Sequence, residues 1–210
     1  MNLKNCFSIL ILLTLTFTYS SCKSQGLRIV GGPCEGCEAL YEYQDKILKS
    51  VDTLPEFDRN EPKMKITGIV YEKDGKTPAE NVIIYIYHTN RKGVYQMRGD
   101  EIGWAKRHGY IRGWVKTGKD GKYTFYSFRP ASYPDETEPE HIHITIKEPE
   151  TNEYYLDEYF FADDPLLKAA FINKLPKRGG SGVVNPTIEA GMLTIKRDII
   201  LGMNIPDYEK

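Results

Sequence analysis

Asn81-Val82-Ile83-Ile84-Tyr85-Ile86-Tyr87-His88 is the stretch that decides the fold. Successive side chains on a strand point to opposite faces, so Val82, Ile84 and Ile86 share one face and Ile83, Tyr85 and Tyr87 the other. Both faces are apolar or aromatic, which is the pattern of a strand buried inside layered sheets rather than of a half-solvated edge. Upstream, Lys65 to Tyr71 reads as a strand leading into a turn at Lys73-Asp74-Gly75-Lys76. Downstream, Ile111 to Lys116 and Lys122 to Phe128 flank a second Asp-Gly turn at Asp120-Gly121. Further strands are expected at His141 to Lys147, Tyr154 to Phe161 and Gly191 to Leu201. Short strands at regular spacing predict an all-β, antiparallel β-sandwich.

Between the strands, Thr89 to Tyr110 carries Gly93, Gly99, Gly103 and Gly109 and reads as a long loop, a length that usually signals function. Short helical pieces are expected within Glu38 to Val51 and from Asp164 through Phe171, and a Gly/Pro/Lys loop at 174–186. The expected organisation is a signal segment at 1–21, an entry segment at 22–63 and the sandwich at 64–210.

The ends point to export. Lys4 precedes an apolar run from Phe7 to Phe17, too short for a permanent span, followed by Tyr19-Ser20-Ser21-Cys22. This resembles a bacterial lipoprotein signal, with Cys22 the candidate acylated residue. Membrane contact is then through a lipid anchor, at the periplasmic or cell-surface side. The chain of 210 residues has 28 Lys and Arg against 29 Asp and Glu, with no basic tract, so nucleic acid is not an expected partner. Cys6 falls in the signal. Cys34 and Cys37, in Pro33-Cys34-Glu35-Gly36-Cys37, are the disulfide candidates of an oxidising compartment.

The chemistry concentrates at Glu140-His141-Ile142-His143-Ile144. Strand alternation puts both imidazoles on one face, and Tyr133 lies just upstream. With Tyr95 as a fourth member, two neutral nitrogens and two phenolates form a donor set suited to Fe(III). Taken alone, Tyr95 reads as a structural tyrosine, and His-x-His occurs in many strands that hold no metal. His88 and His108 are expected to be non-ligands, and Trp104 and Trp114 packing residues.

In order along the chain, these signals resemble the intradiol ring-cleavage dioxygenases, the family of protocatechuate 3,4-dioxygenase and the catechol 1,2-dioxygenases. The likeness covers residues 64 to about 166, beginning with Gly68-Ile69-Val70. It includes Gly93-Val94-Tyr95, the hairpin Arg112-Gly113-Trp114 with Asp120-Gly121-Lys122-Tyr123, Pro130-Ala131-Ser132-Tyr133-Pro134, His141-Ile142-His143, and Tyr159 to Pro165. The resemblance implies Tyr95, Tyr133, His141 and His143 as ligands of a non-haem Fe(III). It implies a small aromatic diol and O2 as substrates, ring opening between the two hydroxyl-bearing carbons, and Tyr133 as both ligand and base. Three positions depart from the family pattern. Glu138 stands where an arginine is usual, Glu158 where glutamine is common, and Ala131 in place of glycine. A carboxylate at 138 would repel an anionic aromatic acid such as protocatechuate; Arg91, Arg98, Arg107 and Arg129 are the candidate substitutes for the missing charge. The competing expectation is a non-catalytic module, since transthyretin-like sandwiches share the Gly-x-Val and Asp-Gly patterns without any metal.

Overall fold

A computed structural model describes residues 27–208. The expected signal segment and Cys22 lie outside the described residues. The strands are β1 (Val51–Thr53), β2 (Lys63–Tyr71), β3 (Ile83–Tyr87), β4 (Arg112–Lys116), β5 (Lys122–Phe128) and β6 (His141–Lys147). They continue with β7 (Glu153–Tyr155), β8 (Tyr159–Phe161), β9 (Val183–Val184), β10 (Thr187–Glu189), β11 (Met192–Lys196) and β12 (Ile199–Ile200). They form two sheets, ordered β1-β5-β2-β11-β10 and β4-β3-β6-β8-β9, with β12 paired to β2 and β7 to β6. The long central pairs β2–β5, β3–β4 and β3–β6 are antiparallel. Parallel pairing occurs where β1, β9, β11 and β12 join their neighbours.

The main core lies between the sheets, and alternation decides what enters it. From β3 it takes Ile84 and Ile86, and from β6 Ile142, Ile144 and Ile146. Ile83, Tyr85 and Tyr87 therefore face outward, as do His141, His143 and Thr145. The outer face of β3 is covered in turn. Tyr85 and Trp114 form a second apolar cluster with Ala39 and Leu40, which lie on a 3₁₀ turn at Cys37–Tyr41. The expectation that both faces of this strand are buried thus describes two different cores.

The helical expectations need correction. The Thr89–Tyr110 stretch is not wholly loop: it contains α1 (Ala105–His108), closed when the N–H of Gly109, at φ +69°, reaches Ala105 O. Four residues are too few for a 3.6-residue period to register in the sequence. The second helical piece, α2 (Ala169–Ile172), starts later than Asp164, because the Asp164 carboxylate is committed elsewhere. It caps Leu166 N at 2.8 Å and holds Glu140 N at 2.6 Å at the entrance to β6. The expected loop at 174–186 includes β9, which pairs in parallel with β8 and covers that edge.

Candidate metal centre

The register of β6 places the site. His143 lies opposite Tyr87 on β3, and His141 opposite Phe160 on β8. Each imidazole is oriented by its Nδ1. That of His141 donates to Pro139 O at 2.7 Å, and that of His143 faces Glu158 Oε1 at 3.5 Å. A proton on Nδ1 leaves the Nε2 lone pair free on both rings, and both lone pairs point into the same small space.

The phenols arrive on two loops that are stitched together. The turn at 90–94 is closed by Gly93 N to Asn90 O, and Thr89 Oγ1 donates to Ala131 O at 2.7 Å. Arg91 Nη1 donates to Arg129 O at 2.8 Å and Pro130 O at 3.0 Å. At the crossing, a side chain on Gly93 (φ +71°) would put Cβ 2.0 Å from Ser132 O, so glycine is required both by its backbone angle and by the close approach.

Tyr95 and Tyr133 then meet the histidines. Tyr95 Oη lies 2.7 Å from Tyr133 Oη and 2.7 Å from His143 Nε2. Tyr133 Oη lies 3.3 Å from His141 Nε2, and the two Nε2 atoms are 3.2 Å apart. All four residues named from the sequence are thus brought together. Four donor atoms make a closed ring of contacts with only two hydroxyl protons to share, so some edges set lone pair against lone pair. A cation at the centre removes that conflict. Donors about 2.0–2.2 Å from one ion stand roughly 3 Å from each other, which is the spacing observed. Among the described residues no group of three or more His, Cys, Asp and Glu side chains forms a metal cage, so the remaining donors here are phenols.

Burial and close neighbours set the protonation of these side chains. Burial raises the Tyr95 phenol well above its ordinary value, and the contact with Tyr133 adds to this; Tyr133 is raised chiefly by burial. Phenolates at this depth need a strong positive charge beside them. His141 is held below its usual value by burial and then by His143, which keeps it a neutral nitrogen donor. Burial by itself would raise the Glu158 carboxyl, but its contact with His143 outweighs that and leaves it below the ordinary range.

The surroundings include residues that sequence reasoning missed. Tyr87, assigned there to strand packing, is sandwiched between His143, with ring centroids 4.4 Å apart, and His108, at 3.8 Å. His108, as expected, is not among the converging donors; its Nδ1 contacts Tyr85 Oη at 2.9 Å. Burial pushes it down to about 4, so it packs as a neutral ring. His88 is buried away from the quartet, between Thr89 O and Ser127 Oγ. Trp114 packs within the second cluster, and Trp104 packs against that cluster while also lining a cleft. Cys34 and Cys37 form a disulfide with Cα atoms 5.6 Å apart, and their loop borders the site. Only the strand opposite His143 could have pointed to Tyr87, and no sequence signal links the cysteine loop to residues more than a hundred positions away.

Of the four candidate arginines, Arg91 serves the tyrosine loops. Arg98 stacks on Tyr110, and Arg129 binds Glu140 and Asp163. Arg107 alone of these lines the cleft that holds Tyr95, Tyr133 and His143, a cavity of about 230 Å³. It is ion-paired to Glu35.

A family model described as a dioxygenase matches residues 41–190. A catechol 1,2-dioxygenase of Acinetobacter lwoffii is 36% identical over 86 residues, covering 41% of this chain and 26% of that protein. The protocatechuate 3,4-dioxygenase beta chain of Burkholderia cepacia is 25% identical over 111 residues, 50% of this chain and 47% of that one. The chain therefore spans between about a quarter and a half of the curated relatives it matches. Among solved structures, catechol 1,2-dioxygenase from Pseudomonas arvilla C-1 superposes with TM-score 0.55 at 18% identity, over 73% of this chain and 56% of that one. The dioxygenase domain of a carbohydrate-binding fusion from Streptomyces sp. SirexAA-E gives 0.50 at 21% identity, over 66% and 79%. These two likenesses concern the fold.

Proposed function

We propose that this chain, which belongs to the intradiol ring-cleavage dioxygenase family, is a non-haem ferric enzyme. It uses O2 to open a catechol-type ring between the two hydroxyl-bearing carbons. The observation that carries the reading is the ring of four donor atoms, Tyr95 Oη, Tyr133 Oη, His141 Nε2 and His143 Nε2, with neighbours 2.7–3.3 Å apart.

Fe(III) held by these atoms would supply Lewis acidity, withdrawing electron density from a chelated diol and priming its ring for O2. The residues divide the remaining work. Of the two phenols Tyr133 is the less tightly held, with 2.7 Å to Tyr95 but 3.3 Å to His141. A phenolate released there is a strong base within reach of a substrate hydroxyl, so Tyr133 is assigned the proton. Tyr95, held at 2.7 Å by both Tyr133 and His143, stays in place. Pro139 O and Glu158 keep the two imidazoles in the tautomer that presents Nε2. Tyr87 stacks on His143, and His108 stacks on Tyr87, which backs the His143 ring.

Metal analysis, visible absorption and oxygen uptake with catechol test this. The expected outcome is about one iron per chain, a phenolate-to-iron absorption band, and consumption of O2 with a ring-opened diacid as product. A colourless protein that takes up no iron under ferric loading would instead be the non-catalytic sandwich module. We further assign residues 1–21 to export and Cys22 to lipid attachment; labelling with a radioactive fatty acid, lost in Cys22→Ala, is the check.

A further inference from the structure

Two clefts meet beside the quartet and share Glu35, Tyr87, His108 and His143. The first contains the phenols. The second, about 210 Å³, runs between the disulfide loop and the segment that carries Glu158. Much of the loop that forms its wall, Pro33 to Cys37, lies N-terminal to the family match at 41–190.

The charges around these clefts are unequal. Among the described residues, the second cleft is lined by Glu35 and Glu158 and by no lysine or arginine. The first has a single guanidinium, Arg107, already paired with Glu35. The Glu158 side chain is only 33% exposed and lies against His143, so its charge is poorly screened by water. Glu138 adds a third carboxylate on the phenol side, near enough for its field to bear on Tyr95 and Tyr133.

We propose that the site selects catechols whose ring substituent carries a positive charge, an alkylammonium being the simplest, and disfavours catechol carboxylates. The inference rests on the ring-cleavage reading. A diol placed at the quartet sits in the first cleft, and the second, which shares His143 and Tyr87 with it, is open to a substituent on its ring. An ammonium group there meets Glu158 and a Glu35 whose charge is offset by Arg107. A carboxylate meets the like charge of Glu158. Near a protein surface, one unit charge about 8 Å from another changes affinity by roughly thirtyfold.

The test compares three ligands on the iron-loaded full chain: catechol, a catechol carboxylate and an aminoethyl catechol. Anaerobic binding is read from the change in visible absorption and expressed per bound iron, alongside kcat/KM from oxygen uptake. The aminoethyl compound is expected to bind at least tenfold more tightly than the carboxylate. The gap should shrink as salt rises from about 0.01 to 0.5 M, and Glu158→Gln should narrow it severalfold per bound iron. Equal affinities, a tighter carboxylate, or a gap indifferent to both salt and Glu158→Gln would overturn the proposal. If catechol itself neither binds nor consumes O2, the ring-cleavage reading fails and takes this one with it. Turnover of catechol without charge preference defeats the selectivity alone.

Discussion

Gly93→Ala asks whether the tyrosine loops position the site as described. Gly93 sits at φ +71°, and an added Cβ would lie 2.0 Å from Ser132 O and 3.1 Å from Tyr133 Cα. The left-handed backbone costs a non-glycine residue about 1–2 kcal/mol. Relieving the overlap costs a further ~1–3 kcal/mol, because the obstacle is backbone and not a movable side-chain tip. The expected destabilisation is about 2–5 kcal/mol, a melting temperature lower by about 4–20 °C for a chain of this size. Ordinary contact begins at 3.4 Å, so the two loops must part by roughly 1.4 Å. That exceeds several times over the ~0.2 Å within which metal–ligand distances are held. Iron affinity and the visible band should therefore fall even below the melting temperature, where the chain is folded. Gly99→Ala is the control: φ is +102° but nothing lies within 4 Å of the new Cβ, so it should carry the backbone cost alone and keep its iron. Calorimetry with and without chelator, iron stoichiometry and absorption spectra read all of this. If Gly93→Ala bound iron as the parent does and melted within about 1 °C of it, the account of the loop crossing would be wrong.

Two further tests address the ligands and the pH response. Tyr95→Phe and His143→Ala each remove one donor of the quartet, and bound iron should drop at least tenfold while far-ultraviolet circular dichroism is unchanged, because both side chains lie outside the main core. Retention of stoichiometric iron by either would remove that residue from the ligand set. His88, fully buried, is pushed down to about 4 by desolvation. Above pH 6.5 it is neutral in both folded and unfolded chains and contributes nothing. As pH falls toward 4 only the unfolded chain gains the proton, so stability drops by about 3 kcal/mol. Chemical denaturation at pH 7 and pH 4 measures this, and the same pH dependence in His88→Gln would refute the assignment.

The sandwich was legible because its evidence is local. The alternating apolar faces of residues 82–87 and the Asp74-Gly75 and Asp120-Gly121 turns each lie within one short window. The quartet was legible through the family resemblance: His141 and His143 share one strand face, but Tyr95 taken alone reads as structural, and only its place in the ordered motifs joins it to the others. The wall of the second cleft was not legible. Cys37 Sγ reaches Thr145 Oγ1 at 3.9 Å across 108 positions, a contact between surfaces that no periodicity encodes. Tyr87 packs against the second apolar cluster, as a strand tyrosine should, and its stacking on His143 left no separate mark in the sequence.

Register links these observations. β6 pairs with β3 over residues 143–147 on one side and with β8 over 141–142 on the other, so His143 is held by one neighbour and His141 by the opposite one. A slip of one residue against β3 would turn both imidazoles into the sandwich core and bring Ile142 and Ile144 out to the phenols. What opposes the slip lies beyond the pair. Ile142, Ile144 and Ile146 are buried in the main core. Asp164 holds Glu140 N at 2.6 Å at the strand entrance, and Arg129 bridges Glu140 to Asp163. The donor geometry therefore follows from the hydrophobic pattern of the neighbouring positions: the isoleucines between and after the histidines fix where the histidines point, and the loop clasp at Gly93 supplies the other half of the cage.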